Sequence, residues 1–279
     1  MSGKIRQDEI VEMLLRETQL SIRTLADRFD VSPMTIYRDL QALEAQTRII
    51  RTNGGAMIRQ NLQYGRGWLE RLQEQSFVKQ LLGQRVAALV KPGQVVIFDA
   101  GTTVLEVARH IPDDMRLTVV TNSLPAVAAL GEKKNIDVLL AGGQFRPDTA
   151  SVLGSFTTAF LNQINADVVV LSTAVVNLEH GLSNFSMDSV AVKRTMITRA
   201  RRVILVCDFS KFQPSALITV APLTQVHTLV TDDRLPESMR QQIRNAGVEL
   251  ILIPYREECP RGLTPTHTRR HESWPPTAT

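Results

Sequence analysis

Cysteine is nearly missing from this 279-residue chain, with only Cys207 and Cys259 present. One ends the apolar run "VILVC" and the other sits in a polar tail, so no structural disulfide is expected. Cys207 reads as a small buried hydrophobe. The five histidines (His110, His180, His227, His267, His271) show no metal-ligand spacing with each other or with the cysteines. No metal and no cofactor are expected. Long apolar runs are lacking too: none approaches the roughly 18 residues of a membrane span. The opening "MSGKIRQDEIVEMLL" has neither the apolar core nor the cleavage site of a signal peptide. A cytoplasmic protein with no membrane partner is expected. Charge of one sign is scarce, 32 basic against 28 acidic residues for a net +4, which permits a nucleic-acid partner without arguing for one.

What is present has the composition of a soluble globular protein, 43% hydrophobic and 22% charged, at a length comfortable for two domains. Apolar residues recur at helical spacing in short segments over 4–58. The polar joint "RQNLQYGRG" follows, then a helical stretch over 69–89. From Val95 onward the runs "VVIF", "LTVVT", "DVLLA", "VVVL", "VILVC", "TLVTD" and "VELILI" alternate with amphipathic stretches, the pattern of βα units and a largely parallel sheet. After Tyr255 the chain is polar and proline-rich, and 255–279 is expected to be a disordered tail. No repeat of fixed period is visible.

A first helix fits 5–16, with Ile10, Val11, Leu14 and Leu15 on one face. In "SIRTLADRF", Ile22, Leu25, Ala26 and Phe29 fall at i, i+3, i+4 and i+7 behind Ser21 as N-cap. The stretch "VSPMTIYRDLQALE" follows: Ser32 caps, and Pro33 takes the first helical position, where its missing N–H costs nothing. Ile36, Leu40 and Leu43 make a narrow buried stripe, leaving Met34, Tyr37, Arg38 and Gln41 opposite and Thr35 at the flank. Arginine can bond guanine, glutamine adenine, and tyrosine or threonine a phosphate. Two helices and a turn before a third make a helix-turn-helix. "RIIRTNGGAMI" adds a hairpin turning at Asn53-Gly54-Gly55, a wing with Arg48, Arg51 and Arg59 near the DNA backbone. Five arginines (38, 48, 51, 59, 66) face three acids (Asp30, Asp39, Glu44) over 30–66, a local +2. The predicted DNA-reading set is therefore Ser32, Met34, Thr35, Tyr37, Arg38, Gln41, Arg48, Arg51, Asn53, Gly54 and Gly55. Spacing alone also fits a small three-helix interaction module with a solvated polar face.

"LADRFDVSPMTIYRDLQALE…RTNGGA" closely resembles the DNA-binding signature of the DeoR family of bacterial transcriptional regulators. Thr35, Ile36, Arg38, Asp39, Leu40, Leu43, Glu44, Gly54, Gly55 and Ala56 match that pattern. Tyr37 stands where the family has arginine, Thr47 where it has glycine, and Asn53 where it has histidine. The resemblance implies a winged helix-turn-helix head followed by a Rossmann-like α/β sensor. So small a DNA head usually needs a symmetric homo-oligomer, dimer or tetramer, for affinity, and a palindromic operator follows from that symmetry.

In the second half, "VVIFDAGTTVLEVARHI" reads as strand, tight turn and helix. Asp99 sits at the strand end, Gly101 in the turn, and Thr102 and Thr103 at a helix N-terminus that offers free N–H groups to an anion. Thr121, Asn122 and Ser123 end the next strand and Gly142 and Gly143 the one after, all at the edge where open parallel sheets bind ligands. Asn122 and Ser123 are equally readable as a helix cap. This conjunction points to an anionic or polyol ligand.

This half also resembles the DeoR sensor domain, itself similar to sugar-phosphate isomerases, through "DAGTT", "TVVTNS", "AGG", "ADVVVL", "HGLS", "VKRTMI" and "CDFSKF". The combined resemblance spans 5–253. It implies that Lys193 faces the ligand's phosphate or carbonyl and that Asp208, Ser210 and Lys211 line the same mouth. Aldose–ketose isomerisation needs a general base, yet "LSTAVVNLEHGLS" offers only Glu179, beside His180, with Asp99 as the alternative base. No enzyme activity is expected. Ser172 and Val175 replace glycines usual in the regulators, and either side chain would narrow the pocket. The expected domains are 1–58 (head), 59–76 (linker and start of a connecting helix) and 77–254 (effector domain). The expected function is a sequence-specific repressor of a carbohydrate operon relieved by a phosphorylated sugar. An isomerase carrying a helical module, and a DNA-binding regulator with an idle sensor, remain open.

Overall fold

The computed structural model describes residues 3–17, 19–45, 49–52, 54–58, 67–214 and 216–255. Thr47, Arg48, Asn53, Arg59, Arg66, Cys259 and the tail from 256 lie outside the described residues.

In the head, α1 (Gly3–Glu17) buries Ile10, Val11 and Leu14. A short strand β1 (Gln19–Ser21) leads into α2 (Ile22–Phe29), where the Ser21 hydroxyl accepts the Thr24 N–H at 3.0 Å. Asp30 closes α2 in the left-handed region, at φ 50°. Helix α3 (Pro33–Ala45) opens on Ser32, whose hydroxyl accepts the Thr35 N–H at 3.2 Å, and buries Ile36, Leu40 and Leu43 as the periodicity predicts. Asp39 is buried as well: its carboxylate takes Arg6 Nε at 2.6 Å and Gln7 Nε2 at 3.0 Å, tying α3 to α1. The wing is β2 (Ile49–Thr52) and β3 (Gly55–Ile58), and β1 pairs with β3 to give the order β1-β3-β2. Gly55 belongs to the strand rather than the turn. A Cβ there would lie 2.0 Å from the Leu20 carbonyl oxygen, so only glycine lets β1 approach.

The helix expected over 69–89 is two: α4 (Trp68–Gln73) and α5 (Ser76–Ala87), broken at Gln75, φ 52°. Leu69 on α4 is 71% exposed, whereas Val78, Leu82 and Val86 on α5 join the sensor core.

All seven apolar runs become strands of one parallel sheet. In chain order come β4 (Val95–Phe98), α6 (Thr102–His110), β5 (Leu117–Thr121), α7 (Leu124–Leu130) and β6 (Ile136–Leu140). A hairpin of β7 (Gln144–Arg146) and β8 (Ser151–Leu153) precedes α8 (Ser155–Leu161) and β9 (Ala166–Leu171). Next are β10 (Val175–Asn177), β11 (Gly181–Asn184), α9 (Met187–Thr198), β12 (Ala200–Val206) and β13 (Ile218–Ala221). The domain closes with β14 (Thr228–Asp232), α10 (Glu237–Asn245) and β15 (Glu249–Ile253). The main sheet runs β15-β14-β12-β9-β4-β5-β6, and β10, β11 and β13 form a small antiparallel sheet. Along β12, Val203 and Leu205 join the core holding α8–α10, while Ile204 and Val206 join the one holding α5–α7. Helices thus cover both faces.

Strands β4, β5 and β6 step outward on one side, and the chain then returns to lay β9 on the other side of β4. The carboxyl ends of β4 and β9 flank this reversal, where doubly wound sheets open a crevice. Among the described residues no helix is long and apolar enough to cross a membrane, and no His/Cys/Asp/Glu cluster could hold a metal ion.

Candidate functional site

On the outer face of α3, Met34 and Tyr37 are 60% and 44% exposed, Arg38 and Gln41 are exposed, and Thr35 is half-buried. The exposed Ser32 is spent on capping, and Gly54 lies exposed at the wing turn. Arg51 is partly exposed and already paired within the head. Its Nε donates to Glu44 at 2.7 Å and its guanidinium lies 4.8 Å from the Tyr37 ring centroid. Hydrogen bonds to Tyr37 and Glu44 hold its pKa above the ordinary value. Tyr37, standing where the family has arginine, is thereby a platform for the wing arginine. Arg38 and Gln41 stay exposed on the same face of α3.

In the sensor, a cavity of about 490 Å³ opens at the crevice between β4 and β9. Ala100, Gly101, Thr102 and Thr103 line it from the β4–α6 turn, and Ser172, Thr173 and Ala174 from the end of β9. Ser186, Ser189 and Lys193 contribute from α9, Arg146, Asp148 and Thr149 from the β7–β8 hairpin, and Cys207 and Lys211 from beyond β12. The connector supplies Gly67 and Arg71.

Asp99 stands just behind this lining and organises it. Its carboxylate accepts the Ser172 N–H at 2.9 Å, the Ser172 hydroxyl at 2.7 Å and the Lys193 ammonium, which also donates to the Ser172 carbonyl at 3.0 Å. Both Asp99 and Lys193 are buried. Burial pushes the Lys211 ammonium below its ordinary pKa, with Asp208 opposing. For Asp208, burial alone would raise the carboxyl, but Lys211, Lys79, Ser210 and Arg234 together hold it below the usual range. Burial raises the Cys207 thiol well above its ordinary pKa, with Asp208 adding to the shift, which favours the neutral thiol. Four cationic side chains (Arg71, Arg146, Lys193, Lys211) line the cavity against one acid, Asp148. The N-terminal ends of α6 and α9 both face it, adding oriented N–H dipoles.

Of the predicted effector residues, Gly101, Thr102, Thr103, Lys193 and Lys211 line the cavity, and Asp99 sits one hydrogen bond behind. Asp208 lies outside the lining, its carboxylate taking Ser210 N–H at 2.9 Å. Thr121, Asn122, Ser123, Gly142 and Gly143 are elsewhere. Thr121 Oγ1 donates to the Phe98 carbonyl at 2.7 Å and Asn122 Nδ2 to the Val152 carbonyl at 3.0 Å. Ser123 caps α7 through Ala126 N–H, and the Gly142 carbonyl accepts Thr157 at 2.7 Å, with Gly143 beside it. The reason is strand order: β5 and β6 lie on the far side of β4 from the reversal. Ser172 lines the cavity, whereas Val175 is buried in β10 outside it. Glu179 and His180 are exposed on the β10–β11 turn, where Asn177 Oδ1 accepts both their N–H groups at 2.9 Å. Sequence reasoning missed Arg71, Arg146, Ser186 and Ser189. Ser186, opening α9 six residues before "VKRT", carried a readable cap signal.

Residues 74–233 match the DeoR C terminal sensor domain and residues 6–61 the DeoR-like helix-turn-helix domain. The chain belongs to the DeoR family. Within it, the chain is 33% identical to the HTH-type transcriptional regulator GlpR of Haloferax volcanii, over 88% of this chain and 96% of that one. It is 30% identical to the glycerol-3-phosphate regulon repressor of Escherichia coli, over 88% and 98%. The full-length sorbitol operon regulator SorC from Klebsiella pneumoniae is a looser likeness: TM-score 0.42, 13% identity, 87% and 100% covered. This DeoR-family chain is a DNA-binding transcription regulator whose helix-turn-helix head contains α2 and α3 and whose sensor is the doubly wound sheet.

Proposed function

We propose that the chain is a repressor of a carbohydrate operon, bound to a palindromic operator as a homo-oligomer and released by a phosphorylated sugar or polyol in the β4–β9 cavity. The head and sensor are taken to meet across 59–76. The supporting observation is the cavity's chemistry. Four cations and two helix N-termini favour an anion, while Thr102, Thr103, Thr149, Ser172, Thr173, Ser186 and Ser189 supply the hydroxyls that recognise a polyol. Named relatives that repress a glycerol-3-phosphate regulon agree with that class of ligand. Isomerase turnover is disfavoured. Asp99 is occupied by Lys193 and Ser172, and Glu179 lies outside the cavity.

A melting screen tests this reading, with glycerol 3-phosphate and ribose 5-phosphate set against glycerol and ribose. Only the phosphorylated member of a pair should stabilise the protein, by about 2.7 kcal/mol at a hundred times its Kd, and it should be recovered unchanged. Equal effects from parent and phosphate, or none from either, would remove the anionic-ligand reading.

A further inference from the structure

We infer that Arg71 carries the ligand signal to the DNA-binding head, because the connector that joins head and sensor forms part of the cavity wall. Gly67 and Arg71, one helical turn apart, both line the cavity. They lie between the two family matches, which cover 6–61 and 74–233 and include neither residue. A ligand filling the cavity therefore touches the segment that leads to the head as well as the sensor proper.

Arg71 is prepared for an anion. Its Nη2 donates to the Asp148 carbonyl at 2.6 Å, and its guanidinium lies 5.8 Å from the Trp68 ring centroid. Its Nε is buried with no acceptor among the described residues, a costly state for a charged donor. Burial lowers its pKa, with Asp148 and Glu74 only partly opposing. A phosphate in the cavity supplies the countercharge that Arg71 lacks, and a guanidinium that turns toward it offers two parallel N–H groups, Nε among them. At the end of α4, the Lys79 ammonium of α5 donates to the carbonyls of Arg71 and Glu74. The helix is thus anchored at its C-terminal end while its arginine answers to the cavity. A phosphate that takes Arg71 reorients or fixes α4, and the chain leading to the head starts from a different position. This supplies the differential contact that any ligand-driven shift requires.

The inference rests on the proposed phosphate-ester reading of the cavity, and the test separates the two. Full-length protein on its operator fragment is titrated with glycerol 3-phosphate and, separately, inorganic phosphate, reading ligand binding and DNA release independently. Arg146→Met removes a cavity arginine outside the connector and should weaken binding, with full release still reached at saturation. Arg71→Met keeps the stem and should weaken binding about ten- to a hundred-fold, yet retain DNA even when the cavity is saturated. Full release from saturated Arg71→Met would overturn the inference and leave the cavity reading intact. A wild-type protein that binds neither phosphate would remove both. Should Arg71→Met fail to fold, amide exchange over 68–73 in the wild type decides: slowing by several-fold with glycerol 3-phosphate supports the inference, and unchanged exchange overturns it.

Discussion

Gly101 and Ser172 face each other across the strand reversal. A Cβ at position 101 would lie 2.5 Å from Ser172 Oγ and 2.9 Å from Ser172 Cβ, and that hydroxyl already serves Asp99. Gly101→Ala should therefore cost about 1–3 kcal/mol by overpacking, and adding Ser172→Gly should recover most of the loss. A double-mutant cycle by denaturant melts measures the coupling; simple additivity would show that the two residues do not crowd each other. At this scale the sequence made local chemistry legible. Asp99, Gly101, Thr102 and Thr103 belong to one strand–turn–helix, so their roles are set within a few residues. Thr121, Asn122 and Ser123 carry the same polar signature at a strand end, yet they brace Phe98, Val152 and α7. Nothing local distinguishes the two cases, because the difference lies in which strand is the neighbour.

Among the elements, α4 and α5 show how a buried charge is used. Lys79, on α5, holds the end of α4, and burial lowers its pKa from 10.5 to about 8. Below pH 8 the amine is protonated folded and unfolded, so the burial penalty is fully present. Between pH 8 and 10.5 the folded chain sheds the proton while the unfolded chain keeps it, and that penalty is progressively lost. Wild-type stability relative to Lys79→Met should thus rise over this window, by at most roughly 3 kcal/mol. A stability difference that stays flat from pH 7 to 10 would show that Lys79 does not titrate there. The break between these helices, at Gln75, escaped the periodicity because the apolar spacing runs across it. The three-residue strands β1, β7, β8 and β10 escaped for a related reason: they are too short to establish alternation. The hairpin β7–β8 nevertheless brings Arg146, Asp148 and Thr149 to the cavity.

For the whole molecule, seven strands and their parallel character were legible from apolar runs separated by amphipathic stretches. Their order was not, because hydrophobic patterning is blind to which strand lies beside which. That order puts β9 against β4 and so decides where the cavity opens. The connecting helix was legible in its apolar spacing, but the contribution of Arg71 was hidden, because nothing local shows that its side chain reaches the cavity wall. The head was the most legible part, since caps, stripe and exposed face all sit within one short stretch. Its central claim, that the α3 face reads DNA sequence, is tested most directly by mixing the purified protein with sheared DNA from its own genome and sequencing what it retains. A few sharp palindromic sites beside a carbohydrate operon are expected, with Arg38→Ala losing about 1–3 kcal/mol at those sites. No enrichment at moderate salt, or the same sites held equally well by Arg38→Ala, would contradict it.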